Sequence, residues 1–204
     1  MNGIQIESIT GPWASEPAAV DDAIWLVSYA ALVGAIPSGT TTLSASTVAG
    51  VLSALQRHGI ARAVPVGDAG ASASKLRRAL RSVRGNVDAS PLPNLEWPIV
   101  GQVLGESLLT ELLDVSSSSL RRYTAGERAT PQDVATRLHV LALILTDLAG
   151  SYNEFGIRRW FGWARVQLRD RSPQEVLGAG FDPDGAAAVE VRTLSATLLG
   201  AGAT

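Results

Sequence analysis

The sequence predicts an all-α protein built from many helices, and three observations carry that expectation. Hydrophobic residues make up 46% of the 204 positions, and Ala and Leu dominate the long apolar stretches without short alternating β-branched runs. Apolar residues recur at steps of three and four. Capping residues followed by proline mark helix starts at Thr130-Pro131, Ser172-Pro173 and Asp182-Pro183.

Taken in order, Glu16–Ala35, Ser44–His58 and Ser74–Arg84 read as helices of an N-terminal helical unit over residues 1–90. Pro37–Thr42, Pro65–Ser74 and Asn86–Pro98 read as loops, and the three prolines of the last suggest a domain boundary. Within 108–131, Leu109, Leu113, Val115, Leu120 and Tyr123 have the spacing of a helix-turn-helix, with Asp114-Val115-Ser116 as the turn. Ser116, Ser117, Ser118, Arg121 and Arg122 would then lie on the outer side of the second helix, where Arg suits guanine or phosphate and Ser suits phosphate. Thr110 and Asp114 stand where a small residue and a glycine commonly sit, so two amphipathic helices meeting at a plain turn is the alternative.

From Pro131 to Tyr152, Val134, Leu138, Leu141, Leu145 and Leu148 form a stripe that Val140, Leu143 and Ile144 widen, as expected of a central core helix. Ser172-Pro173-Gln174-Glu175 fits a capping box. The helix expected after Asp182-Pro183 carries Ala187, Val191, Leu194 and Leu198 on one face and ends at Gly200. The domains expected are therefore 1–90, 98–150 and 151–204.

Composition excludes several chemistries. Cys is absent and His58 and His139 are the only histidines, so no thiolate centre or ordinary zinc set is expected. No nucleophile elbow or phosphate-binding Gly-Lys-Ser/Thr loop is present, and Asp182 is read as a cap before a catalytic carboxylate. No catalytic residue, metal or cofactor is expected, and the chain is read as a non-enzyme. Net charge is −2, but residues 71–98 hold five bases against two acids, from Lys75, Arg77, Arg78, Arg81 and Arg84. That basic amphipathic segment is either a solvated face or an aid to DNA binding. Ala23–Ile36 is too short to span a bilayer, and Met1–Glu7 lacks the features of a secretory signal, so the expectation is a cytoplasmic protein without membrane contact.

Two stretches carry a family resemblance. Gly126-Glu127-Arg128 and Thr130-Pro131, after an arginine-and-tyrosine turn, resemble the loop that follows the recognition helix of Xre-type regulators. The run Tyr152-Asn153-Glu154-Phe155-Gly156-Ile157-Arg158-Arg159-Trp160-Phe161, then Leu168, then Ser172-Pro173-Gln174-Glu175-Val176-Leu177, resembles the C-terminal domain of the MbcA/ParS/Xre antitoxins. The resemblance covers about residues 99–199. At the family's usual Asn or Arg with Pro after the aromatic pair, this chain has Trp163-Ala164-Arg165.

The resemblance implies a type II antitoxin that covers the active site of a RES-domain, NAD-targeting toxin with its C-terminal domain and regulates its own operon through DNA binding. It implies toxin and operator DNA as partners, in a homo-oligomer or toxin–antitoxin hetero-oligomer. Arg158, Arg159, Trp163, Arg165, Val191, Leu194 and Leu198 are then the expected toxin contacts, and Trp160 and Phe161 are expected in the core. Deletion from Arg192 onward is expected to abolish neutralisation and leave the helix-turn-helix folded. A regulator without a toxin and a helical interaction module that binds no DNA are the competing readings.

Overall fold

The computed structural model describes residues 4–11, 13–65 and 72–198, so the loop read at Pro65–Ser74 and the helix end at Gly200 lie largely or wholly outside the described residues. The protein is all-α in character, with nine helices and one two-stranded sheet among the described residues. The described residues divide into two compact units, one within 4–90 and the other within 91–198.

The first unit opens with β1 (Gln5–Ile9), followed by α1 (Pro17–Leu32), β2 (Thr40–Leu43), α2 (Ala45–Arg57) and α3 (Ala73–Asp88). The strands correct the purely helical reading of this region. They pair in parallel, Gln5 opposite Thr40 and Ile9 opposite Leu43, with an irregularity between Ile6 and Ser8. Parallel strands need a crossover, and α1 supplies it. Ala19, Ala23, Trp25, Leu26, Tyr29 and Ala30 on α1 are buried, as are Leu76, Leu80, Val83 and Val87 on α3. Trp25 and Tyr29 stack at 5.7 Å. Ser44 and Ser72 cap α2 and α3, each accepting from the amide three residues on.

The second unit contains α4 (Pro93–Leu113), α5 (Ser117–Thr124), α6 (Gln132–Ala149), α7 (Glu154–Gly162), α8 (Pro173–Leu177) and α9 (Ala186–Ala196), with a 3-10 turn at Val166–Leu168. The expected Asn86–Pro98 loop is much shorter, because α3 runs on to Asp88 and α4 begins at Pro93. α6 is buried almost all round, from Val134 to Leu148, and α4, α7 and α9 pack against it. Such a helix has no solvent face to make polar, which explains the width of its apolar stripe. Residues 98–150 and 151–204 thus share one core.

Two helix starts differ from their expected form. Pro131, not Thr130, is the residue flanking α6, because the Thr130 hydroxyl is taken by the Trp97 indole N–H at 2.9 Å. Asp182 does not cap α9. Its carboxylate accepts from the Asp184 amide and its carbonyl from the Gly185 amide, closing a turn, and α9 starts from Gly185. Among the described residues, no single helix is long and apolar enough to cross a membrane.

Candidate functional site

Gly105 divides α4. Its φ of 78° and ψ of 167° are a conformation open essentially to glycine, so the chain turns there and residues 106–113 form a separate short helix. That helix ends at Asp114, held left-handed at φ 52° and ψ 53°, a conformation Asp tolerates better than most residues. Ser116 then caps α5 by accepting from the Ser119 amide at 3.2 Å. Leu109, Leu113, Leu120 and Tyr123 are buried across this turn, and Val115 is half-buried. Two short helices thus meet at a tight turn, as both the helix-turn-helix reading and its plain-turn alternative require. Thr110 fits because its hydroxyl bonds back to the Glu106 and Ser107 carbonyls of its own helix.

The five residues read as the outer side of α5 are differently employed. The Ser116 hydroxyl belongs to the cap, and Ser117 is half-buried beside Glu106. Ser118, Arg121 and Arg122 are exposed. Arg121 lies 3.4 Å from the Glu106 carboxylate, and Arg122 Nε donates to the Ser118 carbonyl at 3.3 Å. The Ser117 hydroxyl, and then the Arg121 guanidinium, hold the Glu106 carboxyl below the usual glutamate range. Both groups of the Arg121–Glu106 pair are largely exposed, so solvent screening leaves Arg121 able to exchange its partner.

Trp97 fastens this unit from behind. Its ring stacks on Tyr123 at 6.1 Å, its N–H holds Thr130, and Arg128 lies 5.6 Å above the Tyr123 ring. Composition alone offers no signal for this clamp, which joins Trp97 to the segment holding Tyr123, Arg128 and Thr130, the last of them 33 positions on. The buried Glu96–His139 pair, 2.5 Å between Oε1 and Nδ1, fixes the first half of α4 to α6.

The C-terminal candidates fall into two groups. Trp160 and Phe161 are buried and meet edge to face at 5.3 Å, while Arg158 and Arg159 point to solvent. Trp163 is 50% exposed, with the Arg159 guanidinium 3.5 Å over its ring. Arg165 is half-buried, lies 5.6 Å from the Trp160 ring, and joins Arg171 through an antiparallel bridge that closes the 165–171 loop. α9, in contrast, turns a different face inward from the one expected. Ala188, Val191 and Ser195 are buried, Leu194 and Leu198 are half-buried, and Ala187 is not in the core. Val191 is fully buried and is therefore a packing residue, not a partner contact. Ser195 sets the register, its hydroxyl donating to the buried Asp147 carboxylate at 2.6 Å.

The Ser172–Glu175 capping box forms as expected, with Ser172 N donating to Glu175 Oε2 at 2.7 Å and Glu175 N to Ser172 Oγ at 3.2 Å. The Ser172 backbone amide, and then its hydroxyl, lower the Glu175 carboxyl below the usual range.

Arg137, not anticipated as a functional residue, joins the helix-turn-helix to the C-terminal segment. It donates to the Phe181 carbonyl at 3.0 Å, the Leu113 carbonyl at 3.3 Å and Asp133 at 3.2 Å. Gly180 donates to the Leu112 carbonyl at 3.0 Å, and a Cβ there would come within 3.2 Å of the Asp114 Cβ. Among the described residues no cluster of His, Cys, Asp and Glu could hold a metal ion. Comparison with family models, curated proteins and solved structures finds no match.

Proposed function

We propose that this chain is an antitoxin which neutralises a RES-domain, NAD-targeting toxin by covering its active site, and which regulates its own operon by binding DNA. What supports the reading is that a single compact unit bears both two short helices meeting at a turn and, just after α7, a half-exposed indole stacked beneath an arginine. The order of these parts is that of the MbcA/ParS/Xre resemblance.

For DNA, Ser118, Arg121 and Arg122 are the side chains available to bases and phosphates. For the toxin, Trp163 with Arg158 and Arg159 forms the core of the contact, Arg165 shapes its loop, and Leu194 and Leu198 offer half-buried apolar edges. Trp and Arg suit this role because both are enriched among the residues that carry most of the binding energy at interfaces, and stacking on Trp163 already orders Arg159. The toxin and DNA surfaces use different side chains, so they are separable by mutation.

Growth of cells expressing the toxin encoded beside this chain, with each variant, tests the proposal. R159A/W163A is expected to lose protection and keep its promoter gel shift, whereas R121A/R122A is expected to keep protection and lose the shift. Each arginine contributes on the order of 1–3 kcal/mol if bidentate to a base. Full protection by R159A/W163A, or no RES-type toxin gene beside this one, would overturn the antitoxin reading. An operator shift without a toxin would instead establish a regulator acting alone.

A further inference from the structure

The basic helix of the first unit is left over by this assignment, and its cations divide into two sets. Arg77 lies 3.3 Å from Glu16 and Arg84 3.2 Å from Asp22, both on or flanking α1, and Arg84 also lies 4.5 Å over the Trp25 ring. These two are used in holding α3 to α1. Lys75, Arg78 and Arg81 are exposed and make no ion pair among the described residues. They follow one another at steps of three along α3, spanning about 9 Å.

Ser74, Ser82 and Asn86 fill the same exposed side, and the acid of the helix, Asp88, sits at its far end. Lys75, Arg78 and Ser82 also form one wall of an open cavity of about 350 Å³ bounded opposite by Val64 and Pro65. The first-turn amides of α3 add partial positive charge beside Lys75.

We propose that this outer face of α3 binds the phosphate backbone of duplex DNA, without reading sequence. Charge complementarity and donor chemistry argue for phosphodiester oxygens, which Arg and Lys bind as a charged pair and Ser and Asn as hydrogen-bond donors. A lipid surface fits less well. Leu76, Leu80, Val83 and Val87 are all buried, so the large apolar side chains of α3 are not available to insert between acyl chains. The inference rests on the first unit alone and stands whether or not α5 reads bases.

The test is fluorescence anisotropy of the full chain on a short unrelated DNA duplex across a series of salt concentrations, for wild type, K75A/R78A/R81A and R121A/R122A. The α3 variant is expected to bind at least about tenfold more weakly at low salt, and its slope of log affinity against log salt is expected to be shallower by about 2 to 3, near 0.9 per lost phosphate contact. K75R/R78K/R81K is expected to retain the wild-type slope, and an unchanged circular dichroism melt for the alanine variant shows the fold is kept. An unchanged slope in the alanine variant overturns the proposal, and so does the absence of duplex binding by wild type at low salt. Loss of DNA binding only in R121A/R122A overturns it while leaving the helix-turn-helix reading intact. If the alanine variant loses sedimentation with phosphatidylserine-containing vesicles and keeps its DNA slope, the face belongs to lipid and the proposal is wrong.

Discussion

The second unit buries Glu96, His139, Thr146, Asp147, Ser172 and Ser195 within its core. His139 and Glu96 are almost wholly out of water, so removing one leaves the other desolvated. His139→Ala is expected to destabilise the protein in a urea melt by the lost packing and, in addition, by about 1–3 kcal/mol for the hydrogen bond taken from the buried Glu96 carboxyl. Glu175 makes a pH prediction. Its folded pKa is depressed, so the capping box stabilises fully above the ordinary glutamate value of about 4.3 and loses that contribution as pH falls through the lowered value. The thermal midpoint of wild type is expected to exceed that of Glu175→Gln at pH 7, the gap closing as the medium is acidified below pH 4. At Glu106 the expected change is a gain. Glu106→Gln removes the carboxylate paired with Arg121, so under the proposed DNA-binding role operator affinity in a gel shift is expected to rise several-fold at low salt.

At the scale of the element, Gly105 converts what would be one long helix into two. Gly105→Ala forces a side chain into a conformation that only glycine adopts freely, and is expected to cost about 1–3 kcal/mol in thermal unfolding. Sequence patterning captured the elements whose apolar spacing is local. The buried residues of the helix-turn-helix, the breadth of α6 and the Ser172 cap were all legible because each depends on neighbours within a few positions. β1 and β2 were not, since Gln5–Ile9 and Thr40–Leu43 are short and each residue's partner is about 35 positions away. The Asp182-Pro183 signal misled for a related reason. An Asp before Pro serves equally in a tight turn, and here the turn comes first, with the helix delayed to Ala186. For α9 the apolar letters pointed to Leu194 and Leu198, but a hydrogen bond to Asp147 pulls Ser195 inward and rotates the helix about its axis.

Across the whole of residues 91–204, the C-terminal segment is built into the helix-turn-helix instead of following it on a tether. Deletion from Arg192 removes Ser195 from Asp147, so that truncation is expected to lower the thermal stability of the entire unit, contrary to the expectation that the helix-turn-helix would be left folded. Point variants are the cleaner probe. Arg137→Ala is expected to destabilise by about 1–3 kcal/mol, since two carbonyls lose a charged donor together, and to weaken DNA binding and toxin protection in the same variant. The guanidinium of Arg137 also limits how this protein can diverge. It needs the Leu113 and Phe181 carbonyls where they are, and Gly180 must leave room for Asp114. Transplanting a foreign C-terminal segment onto this helix-turn-helix would break that three-way fit, so chimeras are expected to misfold unless the junction residues travel together. If Trp163 meets a partner as proposed, its exposed indole can be altered by single substitutions without disturbing that fit.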